Sequence, residues 1–307
     1  MSKFFKLFFW PLIIVLFMIY GLVFAFVITK FDHWRLGESE KLLLASQKVD
    51  NLEKSLVLLQ KAALLNPNEK TYLSAGIKAQ EIGLDNISAY YLGRVKTADG
   101  YMELGNAYYL AGKYDSAEKV YKKSLEKDKN SIIWLCLGKN YLKKAKLAEA
   151  NYSFEQANKL DGSNLEAQYY QTITYMLNDN EKYKEFASKL TENYRLDLEK
   201  IVATPGKTTL VNRLFLYLKG QGYPQLAFLY LDDKGKNTKL DRDGYLLLGN
   251  EYFIRKNYAP SYSFLLRAKE IDPYYPQTYQ HLVEISNLLN KKEEAKKYQE
   301  FLNRITW

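Results

Sequence analysis

Apolar and polar positions follow two different rhythms along this chain. From Leu7 to Thr29 there are 23 residues without a charge. Beyond that run, apolar residues recur at three- and four-residue steps, as in Tyr101, Leu104 and Tyr108, followed by Ala117, Val120, Tyr121 and Leu125. The uncharged run, as a helix rising ~1.5 Å per residue, covers ~35 Å, more than a ~30 Å hydrocarbon core, and so predicts a transmembrane helix over residues 7–29. The three- and four-residue steps predict amphipathic helices with one packed stripe.

The helical pattern also repeats. The stretch LGNAYYLAGKYDSAEKVYKKSLEKD, Leu104 to Asp128, returns in spacing as LGKNYLKKAKLAEANYSFEQANKLD, Leu137 to Asp161, so that Gly105 and Gly138 lie 33 residues apart. A period in the low thirties, with small residues where two helices must cross, reads as a stacked helix-turn-helix unit. Gly105 and Gly138 on the first helix, with Ala117 and Ala150 on the second, allow the backbones to approach closely.

These residues resemble the tetratricopeptide repeat family. The matching positions are LGNAYY, GKYDSA and Tyr121 in one unit, and Trp134, Leu137, Gly138, Tyr141, Ala150, Phe154 and Ala157 in the next. A third good copy holds Tyr245, Leu248, Gly249, Tyr252, Tyr258, Ala268 and Asp272-Pro273, with Ser261 where the family places alanine. Weaker copies include one closing at Ser55, Ala62 and Asn66-Pro67, one around Gly83 and Ala89, and a final one with Tyr279, Leu282 and Ala295. The resemblance implies an all-α fold: a superhelical solenoid of helix-turn-helix repeats behind a single N-terminal transmembrane helix. The expected organisation is a short cytoplasmic segment 1–6, the span 7–29, an N-terminal subarray 36–190, a degenerate hinge region 191–241 and C-terminal repeats 242–307. Lost small-residue positions together with Pro205, Gly206, Gly220, Gly222 and Gly235 mark the hinge.

Lys3, Lys6 and the N-terminal amine precede the span, whereas Lys30 and Arg35 follow it with Asp32 between them. This asymmetry places the N-terminus in the cytoplasm and the repeats on the outer side of a plasma or inner membrane; a cytoplasmic array is the opposite arrangement. The competing reading is a cleaved signal peptide, for which Val23-Phe24-Ala25 offers a cut. The apolar run is longer than a signal core and continues through Phe26, Val27 and Ile28, which favours an uncleaved anchor.

Composition narrows the function. The one cysteine, Cys136, and the two histidines, His33 and His281, cannot supply a usual zinc set, and no catalytic, cofactor-binding or metal-ligating residue is expected. The formal net charge of +9 suggests nucleic acid, but Lys and Arg alternate with Asp and Glu and form no compact stripe. One enzymatic decoy is ATPGKTT, Ala203 to Thr209, paired with LYLDD, Leu229 to Asp233. Ile201 stands where a phosphate-binding loop requires its first glycine, so Lys207 is not expected to bind a nucleotide.

Repeat arrays of this kind dock proteins on the first helix of each pair. On the face opposite the packing stripe lie Asn106, Tyr109, Lys139, Lys143, Tyr169, Tyr170, Asn250 and Phe253, the expected contacts for a partner protein or peptide. Asn can bond a peptide backbone, aromatics offer rigid area, and Lys139 with Lys143 at i, i+4 suits an acidic segment. Some family members clamp a chaperone's C-terminal carboxylate with inner-helix Lys, Arg and Asn; here Met102, Glu166 and Tyr170 occupy the basic places, which argues against that ligand. The expectation is a membrane-tethered scaffold in an envelope, secretion or surface-appendage assembly; the alternative is a structural spacer or homo-oligomerisation module without a peptide ligand.

Overall fold

The computed structural model describes residues 2–178, 182–188, 190, 194 and 209–306. They divide between two compact units, residues 1–128 and residues 129–307. The first holds α1 (Ser2–Gln47), α2 (Leu52–Leu65), α3 (Glu69–Glu81), α4 (Asp85–Leu92), α5 (Ala98–Leu110) and α6 (Tyr114–Lys127). The second holds α7 (Ser131–Lys143), α8 (Leu147–Leu160), α9 (Leu165–Leu177), α10 (Lys182–Ser188), α11 (Leu210–Gly220), α12 (Pro224–Asn237), α13 (Arg242–Ile254), α14 (Tyr258–Ile271), α15 (Pro276–Leu288) and α16 (Lys292–Ile305). The fold is all-α, and within each unit consecutive helices pair into stacked hairpins, odd-numbered helix first.

One sequence relationship recurs in four of the hairpins. A Cβ placed on Gly76 would lie 2.5 Å from Leu92, on Gly105 2.5 Å from Tyr121, on Gly138 2.5 Å from Phe154, and on Gly249 2.9 Å from Leu265. In each case a glycine on the first helix receives a large side chain from a residue 16 positions later on the second. Tyr121, Phe154 and Leu92 are fully buried there, so each glycine is the floor of a pocket for its partner's side chain. Ala75, Ala117, Ala150, Ala227 and Ala268 are also fully buried, and Leu92, Leu104 and Ala107 join Leu73, Tyr108 and Val120 in a core that links one hairpin to the next.

The turns repeat as well. Gly83, Gly112, Ala145, Gly222, Lys256 and Asn290 all adopt positive φ, between 56° and 79°, just after the first helix of their hairpin. The residue after each donates its N–H back into the last turn, as Lys113 does to Tyr108 at 2.8 Å and Lys146 to Tyr141 at 2.9 Å. This closes the helix end in the manner of a Schellman motif. First helices open instead on a side-chain cap: Asn68, Thr97, Asn130, Asn164, Thr209 and Asp241 each accept a backbone N–H two or three residues on. From α3 to α8, and again from α11 to α14, capped connections and αL turns therefore alternate, which sends the chain back and forth.

Two stretches bear on the expected organisation. The apolar span and the first repeat helix are one continuous α1, whose last part packs on α2 through Ser39 Oγ donating to Ala62 O at 3.0 Å and Ser55 Oγ donating to Ser46 O at 2.9 Å. No break separates them because neither a proline nor a positive-φ residue lies between Ile28 and Gln47. Of the expected hinge 191–241, Pro205, Gly206 and Lys207 lie outside the described residues, and α11 and α12 form a hairpin turning at Gly222.

Gly138→Leu is expected to lower stability by about 1–3 kcal/mol in thermal or denaturant unfolding, because the Phe154 ring cannot withdraw from the core. Ala145→Gly should act in the opposite direction, raising stability by about 0.5–1 kcal/mol as αL strain at a non-glycine residue is relieved.

Candidate functional site

The eight inner-face residues expected as partner contacts are held by the protein's own groups to an extent the sequence pattern did not suggest. On α5, Asn106 follows Gly105, and the Tyr121 ring that lies over that glycine reaches Asn106 with its hydroxyl. Tyr121 OH donates to Asn106 Oδ1 at 2.7 Å, and Asn106 Nδ2 donates to Glu103 at 3.2 Å. Tyr109, half-buried, meets Tyr114 edge-on with ring centroids 5.7 Å apart.

Four of the eight are drawn together in the second unit. Lys139 on α7 donates to Glu166 on α9 at 2.9 Å and sits 5.5 Å from the centre of the Tyr170 ring, which is itself stacked on Phe154 at 5.4 Å. Tyr169 is buried, its ring against Tyr170 and Tyr194 and its hydroxyl against that of Tyr217 on α11. Lys143, one turn beyond Lys139, donates to Gly222 O in the α11–α12 turn at 2.6 Å and lies 4.4 Å from the Tyr223 ring centre. Glu166 of the same chain thus engages Lys139, Lys143 is held by a backbone carbonyl instead, and Tyr169 is buried where exposure was expected. The reason is geometric: tyrosines on successive first helices are long enough to touch across the space between them.

The two lysines are electrostatically unlike. Burial works against the charge of Lys139, but the Glu166 hydrogen bond, with Tyr170 and the Glu166 charge behind it, outweighs burial and holds its pKa above the ordinary lysine value. Burial and then the Lys139 charge both push Lys143 below that value.

On α13, Asn250 and Phe253 are half-buried, with Phe253 against Tyr258 at 5.9 Å. Between them the chain places a charged cluster that sequence reasoning missed. Glu251 is only 5% exposed and pairs with Lys219 from α11 and Arg255 one turn on, whose guanidinium lies 3.9 Å from the Phe228 ring centre. Beside it Tyr252 OH donates to Asp232 at 2.5 Å, and Asp232 pairs with Lys236 at 2.6 Å. A signal existed: Lys219 and Glu251 are 32 residues apart, close to one repeat period, so opposite charges stand at neighbouring positions on successive first helices. Asp232 belongs to LYLDD, which is part of helix α12 and not the strand that a nucleotide site would need. Among the described residues no group of three or more His, Cys, Asp or Glu is placed to hold a metal.

Residues 98–131 match the family model for the tetratricopeptide repeat. Among solved structures the chain is similar to a tetratricopeptide repeat protein from Parabacteroides merdae, at 14% identity over 81% of this chain and 99% of that one, with a TM-score of 0.44. It is also similar to YrrB, a TPR protein with an unusual peptide-binding site, at 15% identity over 72% of this chain and 96% of that one, TM-score 0.37. A third is pilF of Pseudomonas aeruginosa, at 15% identity over 70% of this chain and 97% of that one, TM-score 0.38. No curated protein matches the chain by sequence.

Burial would raise the Glu251 pKa, but the hydrogen bonds from Lys219 and Arg255 outweigh it and hold the carboxyl below its ordinary value. Its contribution is therefore present above the unfolded carboxylate pKa of ~4.3 and is lost as pH falls through the lower folded value. Glu251→Gln is expected to cost about 1–3 kcal/mol at neutral pH, discounted from a fully buried pair because Lys219 reaches water, and the gap from wild type should close below about pH 4. Denaturant unfolding at several pH values reads both effects.

Proposed function

We propose that this chain is a membrane-tethered scaffold that docks a partner protein or peptide on the first helices of its hairpins. The observation that carries the reading is α1. Its apolar stretch is exposed at every residue from Val15 to Ile28, and the same helix continues as the first element of the hairpin stack. Water does not stabilise so long an exposed apolar helix, whereas a bilayer does. Continuity through Val23-Phe24-Ala25 supports an anchor over a cleaved leader, and the flanking Lys3 and Lys6 support a cytoplasmic N-terminus with the repeats outside. An envelope, secretion or surface-appendage assembly fits such a topology.

The contact set comprises Asn106, Tyr109, Lys139, Lys143, Tyr170, Asn250 and Phe253, all half-buried; Tyr169 is withdrawn from it because it is buried. Internal hydrogen bonds and ring contacts hold most of these side chains in place before a partner arrives, which lowers the ordering cost of binding. The same bracing favours a second reading, a rigid spacer or self-associating module, since Lys139, Lys143 and Tyr169 are already occupied within the chain.

The two readings separate when the full-length protein is crosslinked in its native membrane, extracted, purified by a C-terminal tag and compared with a Tyr109→Ala, Asn250→Ala, Phe253→Ala variant. The scaffold reading expects at least one partner to fall by about tenfold or more, the loss of two or three interface anchors at 1–2 kcal/mol each, while the unfolding temperature stays near wild type. Recovery of every partner at wild-type level would reject these contacts, and recovery of the chain alone would favour the spacer.

A further inference from the structure

Because α1 belongs to the first hairpin, the direction in which it enters a membrane orients the whole first unit. Ser39 Oγ bonded to Ala62 O sets α2 antiparallel to α1, so that Asn66 is level with Arg35. Arg35 is six residues past Thr29, the end of the uncharged run, which puts the α2–α3 connection about 9 Å beyond it. The headgroup layer extends about 5–8 Å outside the hydrocarbon core, and electrostatic attraction to it persists for a further Debye length of ~8 Å.

The next hairpins are kept level with the first. Lys96 N donates to Glu69 Oε1 at 3.0 Å, tying the α4–α5 connection to the start of α3, and Ser124 Oγ donates to Ala98 O at 2.6 Å, tying the end of α6 to the start of α5. Connections between hairpins thus share one edge of the unit, and turns within hairpins share the other. The two edges differ in charge. Residues 61–72, 89–101 and 122–128 carry seven Lys and Arg against four Asp and Glu, whereas residues 43–55, 77–88 and 106–118 on the opposite edge carry four against six.

The cationic edge is also aromatic. The Arg94 guanidinium lies 3.6 Å from the ring centre of Tyr90, which is 56% exposed, and Lys96 and Lys123 sit about 6 Å from the centre of Tyr101. Leu64, 80% exposed at the end of α2, stands at the same level, and Phe31 and Trp34 are exposed on α1 just outside the span. Tyr and Trp beside Lys and Arg is the composition that settles at a bilayer interface.

We propose that this edge of the first unit, centred on Leu64, Lys70, Tyr90, Arg94 and Lys96, lies on the membrane that α1 enters and binds its anionic lipid headgroups. The proposal rests on the reading of α1 as an anchor. It assigns the tether a second job: the first unit is held with this edge on the surface and the turns at 48–51, 82–84 and 111–113 facing away.

The full-length chain reconstituted into lipid nanodiscs of phosphatidylcholine, with and without phosphatidylglycerol, tests this by hydrogen exchange. The anionic discs should slow exchange several-fold at residues 66–70 and 93–97 and leave the opposite turns unchanged. Lys70→Glu, Arg94→Glu, Lys96→Glu should abolish the difference, and the Gln versions of the same three should weaken it, without loss of the core protection of α5 and α6. Failure of the chain to insert into discs of either lipid overturns the anchor reading and this inference with it. Insertion with equal exchange in the two lipids, or protection of the opposite turns, overturns the edge alone.

Discussion

The contact between a glycine on one helix and a bulky side chain 16 residues later is the constraint on which the four hairpins α3–α4, α5–α6, α7–α8 and α13–α14 depend. It determines how closely the two helices of a hairpin approach, and a Cβ at that place would meet a buried side chain at 2.5–2.9 Å. Once that approach is set, αL turns within these hairpins and side-chain caps ahead of them end and start the helices, and successive hairpins can stack. The aromatics at these positions, Tyr121 and Phe154, then do two things. Their ring bodies fill the glycine floors, and their outer edges reach the inner face, where Tyr121 OH braces Asn106 and Phe154 supports Tyr170. Core packing and the candidate binding face are thus coupled through single side chains.

That coupling explains why the inner face is not a loose polar surface. Lys139, Lys143, Tyr169 and Glu251 each engage groups from other hairpins, and Lys219–Glu251–Arg255 links α11 to α13. A buried charge without such partners would be strongly destabilising, so these contacts are conditions for stacking as well as features of the surface. A partner docking here would meet side chains already held in one arrangement.

The tether gives the first unit a direction. With α1 unbroken from the apolar span into the hairpin, there is no flexible joint between the proposed anchor and the first repeat, and the first unit's two edges become a near edge and a far edge. Their different charge balance is intelligible in those terms: cations outnumber carboxylates on the near edge, and carboxylates slightly outnumber cations on the far one.

Much of this was legible in the sequence, because the all-α class, the hairpin period and the apolar span depend on local regularities: glycines at Gly105 and Gly138, alanines at Ala117 and Ala150, and an uncharged run to Thr29. Each acts within one helix or between helices adjacent in the chain, where spacing alone fixes who meets whom. The tertiary structure alone decided which inner-face residues are spent internally. Lys143 meets Gly222 at a separation of 79 residues and Tyr169 meets Tyr217 at 48, pairings that depend on how hairpins stack and that no repeat period encodes. It also decided that the span and first repeat are one helix, since only the packing of Ser39 and Ser55 against the facing backbone shows where the first hairpin begins.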